Sequence, residues 1–498
     1  MRPLLTFVAA TAALAAPATL ISTQFTPEGA RDGWIVVLKD DAPHGAFLRT
    51  RDIAAAAGSI PRHTFDLGPS LRGHVMAGPG SEIAVQQMAD LPYVDFIQPD
   101  TKISLDDSEG NAGLGDDDEG ESNGPVQPGE GLENGSHVTA PTESWGLHRL
   151  SHGPLTPGES LEYRRNATGR TGWVYIVDTG IELGHPQFGG RAKWGATFLK
   201  RSSLGGQRRY SGPYCDESWM PRGGDDHGHG THCAGVVGGT SLGVAQDTNL
   251  VAVKILDQYG GGSTSNILRG MEWIIKDATE NDRTLLVGKQ ETMSTPPLLP
   301  TGQEDIVLTN EMKWRLGVPG LGKSVISMSL GATRAPKLRA RGKPDASMLA
   351  CRIAAEKGIF MVAAAGNSRE PVDRTTPAAE PQVCAIGAID ENDAHARFTN
   401  YGTGVDLMAP GVNILSAFRG NTTKKLNGTS MAAPFVAGLG AYFMDLDGPG
   451  KSYPGYKMCE RLKSLASYRK GVEEMKVPSN FTDTYSKYTK VASNGWGL

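Results

Sequence analysis

The chain has 498 residues and a formal net charge of −5, with 54 acidic and 49 basic side chains. Because this balance is slightly acidic, the composition provides no global positive field and argues against a nucleic-acid partner. The length is sufficient for a large catalytic domain and a smaller one. No segment is long and apolar enough to span a bilayer, so we expect no membrane association and a soluble mature protein.

The amino terminus predicts a secretory signal peptide over residues 1–18. Arg2 precedes an apolar run from Leu4 to Leu14, and small residues follow at 15–18. The alternative is a hydrophobic N-terminal helix. Export would expose the five cysteines to an oxidising compartment, where up to two disulfides and one leftover thiol are expected. The destination is the extracellular space or, alternatively, a vacuole.

Two regions of different composition follow the signal. Residues 30–104 alternate strand-like and helix-like stretches in the order β-α-β-β-α-β, which predicts a small α+β domain of ferredoxin-like type. Residues 105–143 contain acid and glycine and almost no apolar side chains, so they cannot form a core and are predicted to be a disordered linker.

From residue 144 to the C-terminus at 498, short apolar runs alternate with helical stretches. Runs such as "WVYIVDTG", "VISMSL" and "IFMVAAAGN" predict an α/β domain with a parallel, doubly wound sheet covered on both faces. Ligands bind beyond the carboxyl ends of strands in such sheets, and Asp178, Gly331 and Asn367 follow three of the runs there. A polar, proline-containing stretch at about 279–322 is predicted to be a surface insertion.

The stretch "GGDDHGHGTHCAG", residues 223–235, holds three histidines, His227, His229 and His232. Imidazoles, a thiolate and carboxylates are zinc ligands, whereas one histidine with a pKa near neutrality could serve as a general base. This stretch alone permits both interpretations.

A second stretch, "NGTSMAAPFVAGLGAYF" at 427–443, points to acyl transfer. Ser430 opens a run of small residues that predicts a tightly packed helix, and a serine at a helix N-terminus has its own N–H available to an anion. With Asp178 and His229 it gives the chain order Asp, His, Ser, which is one of the known orders of a catalytic triad.

The stretches "VDTGIELGHPQF", "GHGTHCAG" and "GTSMAAP" resemble the three signature blocks of subtilisin-like serine proteases, and "WGLHRLSH" and "FTNYGTGVDLMAPG" are most similar to the fungal proteinase K and cerevisin branch. The resemblance covers residues 144–450. It implies a monomeric serine endopeptidase acting on proteins and peptides, with a preference for hydrophobic or aromatic residues. It also implies that residues 19–104 are a propeptide, an intramolecular inhibitor removed by self-processing.

The resemblance assigns roles to individual residues. Ser430 is the nucleophile, His229 the base and Asp178 the carboxylate that orients it, while Asn367 and the Ser430 N–H form the oxyanion hole. The implied substrate-binding residues are Gly260, Gly261, Gly262, Ser329, Leu330, Gly331, Ala363, Ala364, Ala365 and Gly366. Two positions depart from the family pattern: Phe435 replaces a usual histidine, and Ala332 a usual glycine.

The resemblance also implies structural features away from the catalytic residues. Catalysis needs no cofactor, but a calcium ion is expected at the carbonyls of Pro381 and Val383 and the carboxylate of Asp406; the alternative is that Asp406 caps a turn. A disulfide is expected between Cys384 and Cys459, with Cys215 and Cys351 as a second candidate pair. Among the glycosylation sequons at Asn134, Asn166, Asn421, Asn427 and Asn480, the favoured sites are Asn166 and Asn480.

Three other functions deserve comparison with this one. "GVPGLGKS" at 317–324 fits the phosphate-loop pattern of an NTPase, but a β-type run follows it where a helix is needed. A zinc module would leave Asp178 and Ser430 without a role. The third alternative is a catalytically inactive binding protein on the same fold.

Overall fold

The structure is a computed structural model that describes residues 19–20, 33–78, 80–105, 138–199, 224–288, 321–448, 455–468 and 490–496. The chain divides into two compact units, Met1–Asp100 and Thr101–Leu498. The predicted signal peptide, almost all of the predicted linker up to residue 137, Cys215 and the sequons at Asn134 and Asn480 lie outside the described residues.

From residue 34 to residue 99 the first unit has the predicted β-α-β-β-α-β order, and one short strand precedes it. Its central strand pairs antiparallel with the strands on both sides, and Val36, Phe65 and Ile97 are among its buried side chains. The elements are β1 (Thr19–Leu20), β2 (Trp34–Leu38), α1 (Ala46–Ala56), β3 (Ile60–Asp66), β4 (Arg72–Ala77), α2 (Ser81–Met88) and β5 (Val94–Pro99). The sheet order is β1-β5-β2-β4-β3.

The second unit is built on a nine-stranded sheet of order β10-β11-β9-β13-β15-β17-β18-β22-β21. Every pair from β10 to β22 is parallel, and the last pair is antiparallel. The unit's strands are β6 (Lys102–Ser104), β7 (Val138–Pro141), β8 (Glu162–Arg165), β9 (Trp173–Asp178), β10 (Ala192–Thr197), β11 (Asn249–Lys254), β12 (Gly261–Ser263), β13 (Ser324–Met328), β14 (Ala332–Thr333), β15 (Phe360–Ala364), β16 (Thr375–Thr376), β17 (Cys384–Ile389), β18 (Leu407–Pro410), β19 (Ile414–Phe418), β20 (Thr422–Leu426), β21 (Ser467–Tyr468) and β22 (Lys490–Val491).

Helices flank this sheet, which confirms the predicted α/β fold. They are α3 (Trp145–His152), α4 (His229–Gly238), α5 (Thr264–Gly288), α6 (Pro336–Ala340), α7 (Ala346–Glu356), α8 (Thr429–Leu446) and α9 (Gly455–Leu465). Helix α4 packs with α8, while α7 packs with α5 and α9. Helix α5 continues through residues 279–288, so the predicted insertion begins within a helix.

Small residues explain how closely α8 packs. Every side chain from Thr429 to Asp445 is buried, and a Cβ on Gly440 would come within 2.6 Å of the Phe360 ring. A larger residue at that position would separate the helix from β15. The run of alanine and glycine therefore lets α8 lie against the sheet and carries Ser430 to the edge where the parallel strands end.

The predicted disulfide between Cys384 and Cys459 is present, and it ties β17 to α9. Cys351, one member of the second candidate pair, is a buried free thiol. The phosphate-loop interpretation fails, because a short 3-10 turn at Leu321–Lys323 leads directly into the buried strand β13 and opens no helix. Within the described residues, no helix has the length and apolarity needed to cross a membrane.

Candidate active site

The carboxyl end of β9 brings a carboxylate against an imidazole. Asp178 is the last residue of this buried strand, and His229 is the first residue of α4. His229 Nδ1 lies 2.8 Å from Asp178 Oδ1 and 2.9 Å from Oδ2. Both side chains are buried, at 0% and 1% exposure, so little solvent screens this pair. The geometry holds the imidazole in one orientation.

A second aspartate, which the sequence analysis did not single out, fixes the loop that presents His229. Asp225 Oδ1 accepts hydrogen bonds from the backbone N–H groups of His227 and Gly228 at 3.0 and 2.9 Å. Its Oδ2 accepts from the Thr231 N–H and hydroxyl at 3.0 and 2.7 Å. One buried carboxylate thus satisfies the donors around the start of α4. The signal in the sequence was an aspartate shortly before a helix start.

A buried lysine, Lys254, stabilises the turn that follows Asp178. Lys254 is the register partner of Asp178 on β11, and its side chain is fully buried. Its ammonium donates to the carbonyls of Thr179 and Leu256 and to Asp226 Oδ1, the last at 2.7 Å. These bonds pin the turn after Asp178. No pattern in the sequence pointed to this residue.

Ser430 reaches the same edge from α8. Its hydroxyl donates to the Ser329 carbonyl at 3.3 Å, and the Ser329 hydroxyl donates back to the Ser430 carbonyl at 2.8 Å. Cys233 links this serine to the histidine, since its Sγ lies 3.5 Å from the Ser430 carbonyl oxygen and 3.8 Å from His229 Nδ1. The structure therefore brings together the three residues that the sequence pattern selected.

Two hydrogen-bond donors border the space above Gly428. The Oδ1 atom of Asn367 accepts from the Thr429 N–H and hydroxyl, both at 2.8 Å, which leaves the Asn367 amide nitrogen on the other side. A Cβ built on Gly428 would stand 3.5 Å from that nitrogen and 3.5 Å from the Ser430 N. With φ at +153°, this position also disfavours a side chain. The two nitrogens therefore lie near one point beside Gly428.

The other histidines of the motif do not converge on a metal. His232 Nε2 contacts the carbonyls of Ile414 and Lys424 at 2.9 and 3.0 Å, and burial lowers the His232 pKa to about 3. The Nδ1 atom of His227 accepts the His229 N–H at 3.3 Å, and burial lowers the His227 pKa. Each imidazole has a separate structural role, which argues against the zinc interpretation.

One group with metal-like spacing among the described residues is Asp178, His229 and Cys233. Burial raises the pKa of the Cys233 thiol, so it stays protonated and is a poor ligand. Cys233 is buried and forms no disulfide, so it packs as a small hydrophobic side chain.

Two segments of the predicted substrate-binding residues, 260–262 and 329–331, flank a strand of this chain and are called the rails below. Strand β6 pairs antiparallel with β12, so that Ser104 lies opposite Gly261 and Ile103 opposite Gly262. Leu105 continues the pairing by donating its N–H to the Gly260 carbonyl at 3.1 Å. On its other side Ser104 forms an antiparallel bridge with Gly331. An extended segment thus lies between the two predicted rails.

A pocket opens next to Ser430. Of the predicted substrate-binding residues, Leu330, Gly331, Ala364 and Gly366 line it, whereas Ala363 and Ala365 are buried in the domain core. Ala332, the departure from the family pattern, also lines the pocket. The other departure, Phe435, is fully buried, and its ring lies against Gly146, so it serves packing.

The expected calcium ligands do not fit a cation. The Oδ1 atom of Asp406 accepts from the Lys463 ammonium at 2.7 Å, and Oδ2 accepts from the Ala385 N–H at 3.1 Å. An ammonium already compensates the carboxylate and would repel a calcium ion. The carbonyls of Pro381 and Val383 alone provide too few oxygens for a calcium site. The sequence could not anticipate this pairing, because Lys463 comes from α9.

Comparisons with known proteins agree with this geometry. Residues 169–460 match the profile of the subtilase family. Subtilisin-like protease 6 of Arthroderma gypseum is 33% identical over 453 residues, spanning 87% of this chain and 86% of that protein. Subtilisin-like protease 6 of Trichophyton schoenleinii is 32% identical over 450 residues, spanning 87% and 88%. The crystal structure of a cold adapted subtilisin-like serine proteinase matches with a TM-score of 0.50 and 27% identity, covering 71% of this chain and 98% of that one. The chain therefore belongs to the subtilase family and is a serine endopeptidase.

Proposed function

We propose that the chain is a secretory-pathway endopeptidase that hydrolyses protein substrates with Asp178, His229 and Ser430 as its triad. The observation that carries this proposal is the contact of His229 Nδ1 with both oxygens of Asp178, at 2.8 and 2.9 Å. A buried carboxylate at Nδ1 keeps the proton on that nitrogen and leaves Nε2 as the basic atom.

The chemical steps follow from this tautomer. The Ser430 hydroxyl, which donates to the Ser329 carbonyl in the resting structure, turns to His229 Nε2 and gives up its proton as its oxygen attacks the scissile carbonyl carbon. His229 then passes the proton to the leaving amine, and an acyl-enzyme remains. Water attacks that ester with His229 again as the base, which releases the acid and restores the serine.

The negative charge that develops on the carbonyl oxygen needs donors in fixed positions. We assign this role to the Asn367 amide nitrogen and the Ser430 N–H, because both border the space above Gly428. Asn367 is held by its two hydrogen bonds to Thr429, so its amide needs little reorganisation during the reaction.

We further propose that the enzyme is made as a zymogen whose first unit is the propeptide. Strand β6 follows that unit directly along the chain and lies between the rails, as a substrate would. Self-processing is therefore expected C-terminal to Leu105, at the start of the acidic linker.

The proposed preference for hydrophobic residues finds support in the same strand. The side chains of Ile103 and Leu105 are buried, at 1% and 7% exposure. Leu105 lies against Gly260, and Ile103 lies against Gly262. Since these glycines have no side chain to block the approach, substrates with apolar residues at the equivalent positions should bind best.

Removal of the nucleophile tests both proposals. Ser430→Ala should accumulate as an unprocessed precursor, lose casein hydrolysis and fail to react with a fluorophosphonate. Ser464→Ala, at an exposed serine of α9, is the matched control and should behave as wild type. If the Ser430→Ala chain loses its propeptide at the wild-type rate in a host without other subtilases, the assignment of Ser430 is wrong.

The alternative function, a catalytically inactive binding protein on the same fold, would give a different result in the same experiment. Wild-type protein would then show no fluorophosphonate labelling and no casein hydrolysis, and its maturation would not depend on Ser430. Addition of active enzyme in trans separates a processing defect from loss of catalysis, because cleaved Ser430→Ala protein should remain inactive.

Export and glycosylation complete the proposal. We propose that the protein acts outside the cell as a monomer and carries glycans at Asn166 and Asn480. Asn427 should stay unmodified, because it lies only three residues before Ser430. Its side chain is also engaged, since Oδ1 accepts the Asn413 N–H at 2.7 Å. Mass spectrometry of glycosidase-treated and untreated peptides, and detection of the protein in culture medium against vacuoles, test these assignments.

A further inference from the structure

The hairpin of strands β19 and β20 has a basic outer surface. Its residues 414–426 include Arg419, Lys424 and Lys425 and contain no aspartate or glutamate. All three basic side chains are exposed, and none of them forms an ion pair with a carboxylate in the described part of the chain. We call these three residues the basic hairpin.

Two carboxylates near the basic hairpin already have other partners. Glu182 Oε2 accepts the backbone N–H of Asn421 at 3.2 Å, and Asp226 Oδ1 accepts from the buried Lys254 ammonium at 2.7 Å. Arg419 donates to the backbone carbonyl of Asp226 at 3.0 Å. The positive charge of the basic hairpin can therefore attract a partner of opposite charge.

The basic hairpin borders the loop that carries the proposed base. The Lys424 ammonium lies 5.0 Å from the centre of the Phe418 ring, and that ring would stand 2.5 Å from a Cβ on Gly228. Gly228 directly precedes His229. Arg419 contacts the same loop two positions before Gly228. Two cations thus lie next to the residue that handles the proton.

The leaving side of a substrate must pass this loop. In the proposed reaction His229 gives its proton to the leaving amine, so the residue after the scissile bond lies against the His229 imidazole. The residues before the bond lie between the rails, as β6 does. Because an extended chain advances about 3.3 Å per residue, the first few residues after the bond come within reach of Lys424.

The chain itself has acidic residues at these positions. Leu105, which ends the pairing with the rails, is followed by "DDSEGNAGLGDDDEGE" at 106–121, with eight acidic side chains and no basic one. Exposed charges attract one another over about 8 Å at physiological ionic strength, and several of them act together. A basic surface and an acidic segment therefore belong to the same side of the scissile bond.

We propose that the basic hairpin binds the acidic residues that follow the scissile bond, and that residues 106–109 of the precursor are its first occupant. This inference rests on the proposed function, because it takes the bond after Leu105 as the one that Ser430 attacks. The contact draws the linker past His229, which places the leaving amine where it receives its proton. Protein substrates with acidic residues at the same positions are captured faster by the same charges.

Carbodiimide cross-linking of the full-length Ser430→Ala precursor tests the contact without any need for catalysis. The reagent joins a lysine amine to a carboxylate that lies against it, so we expect mass spectra to show amides between Lys424 or Lys425 and residues 106–109. Lys357 and Lys457, which are exposed at α7 and on α9, are the internal controls. Absence of the hairpin cross-links, or cross-links that form equally well to the controls, overturns the inference.

A peptide series measures the effect on the reaction. Each internally quenched peptide has Lys-Ile-Ser-Leu, the sequence of residues 102–105, before the bond. After the bond it has Asp-Asp-Ser-Glu, Asn-Asn-Ser-Gln or Lys-Lys-Ser-Lys. For the mature wild-type enzyme we expect kcat/KM to fall in that order, with about fivefold between the acidic and the neutral peptide. High salt should reduce this difference.

Charge reversal in the basic hairpin gives the decisive comparison. Lys424→Glu combined with Lys425→Glu should reverse the order of the acidic and basic peptides, with hydrolysis of the neutral peptide as the internal reference. Lys357→Glu combined with Lys457→Glu makes the same change of charge elsewhere and should keep the wild-type order. An order that the hairpin substitutions leave unchanged contradicts the inference.

The outcomes separate this inference from the proposed function. Ser430-dependent hydrolysis of the neutral peptide without a preference for the acidic one overturns the inference alone. Absence of hydrolysis with every peptide, and with casein, contradicts the proposed function. The cross-links then still decide whether the basic hairpin binds the linker.

Discussion

Asp178 and Asp406 lie on opposite sides of the same parallel sheet, one where the strands end and the other where they begin. Asp178 ends β9, whereas Asp406 directly precedes β18. The first is 1% exposed and contacts an imidazole, while the second is 22% exposed and contacts the ammonium of Lys463. Both also accept one backbone N–H, from Thr179 at 2.7 Å and from Ala385 at 3.1 Å.

The difference shows how partner and burial decide what a carboxylate can do. Beside a titratable imidazole and away from water, Asp178 is able to stabilise a charge that appears only during the reaction. Beside a half-exposed lysine ammonium, Asp406 contributes a solvent-screened ion pair with no group to activate. Catalysis at one edge and modest stabilisation at the other are the expected consequences.

The largest expected effect is the loss of activity on changing the buried carboxylate. Asp178→Asn should lower kcat about 10⁴-fold, because an amide can present its N–H to Nδ1 and favour the wrong tautomer of His229. The change should be measured on active-site-titrated mature enzyme with a chromogenic peptide, after cleavage in trans by wild-type enzyme.

Asp406→Asn is the matched control for this prediction, since it makes the same chemical change at the other edge of the sheet. Its kcat should stay within about twofold of wild type, because Asp406 contacts no residue of the proposed triad. If kcat fell equally in Asp178→Asn and Asp406→Asn, the loss in Asp178→Asn would be due to impaired folding and not to the wrong His229 tautomer.

The sequence predicted the catalytic edge because local rules place its residues. Asp178 follows an apolar strand, and Ser430 begins a run of small residues that only a packed helix accommodates. Asp225 was not selected, since its role depends on a tertiary contact with Thr179, 46 residues away along the chain. The contact between Asp406 and Lys463, which competes with the expected calcium ion, could not be predicted for the same reason, because the two residues are 57 positions apart.

Acid should destabilise the catalytic edge through His232. Burial lowers its pKa from 6.5 to about 3, so between these values the unfolded chain binds a proton that the folded chain does not. The free energy of unfolding therefore falls as pH decreases through this window, by roughly 3 kcal/mol from this group between pH 7 and pH 4. His232→Gln should show a flatter decline than its parent, measured by calorimetry on the Ser430→Ala precursor between pH 7 and pH 4.

The exposed His44 provides the control for that measurement. His44→Gln in the same Ser430→Ala precursor should retain the steep acid dependence of its parent, because the substitution leaves the buried His232 in place. A decline that is equally steep in the His232→Gln protein would show that His232 does not take up a proton on unfolding.

The smallest expected effect lies at the opposite edge, where calcium should make no difference. Because the Lys463 ammonium lies 2.7 Å from Asp406 Oδ1, chelator or added calcium should shift the Tm of the mature enzyme by less than about 2 °C. Lys463→Met should cost less than about 1 kcal/mol, and this cost should diminish at high salt, as expected for a half-exposed ion pair. The same substitution leaves Asp406 uncompensated, so any calcium response should appear in Lys463→Met and not in wild type. A wild-type Tm that falls by many degrees with chelator would show that Asp406 binds the ion despite its lysine.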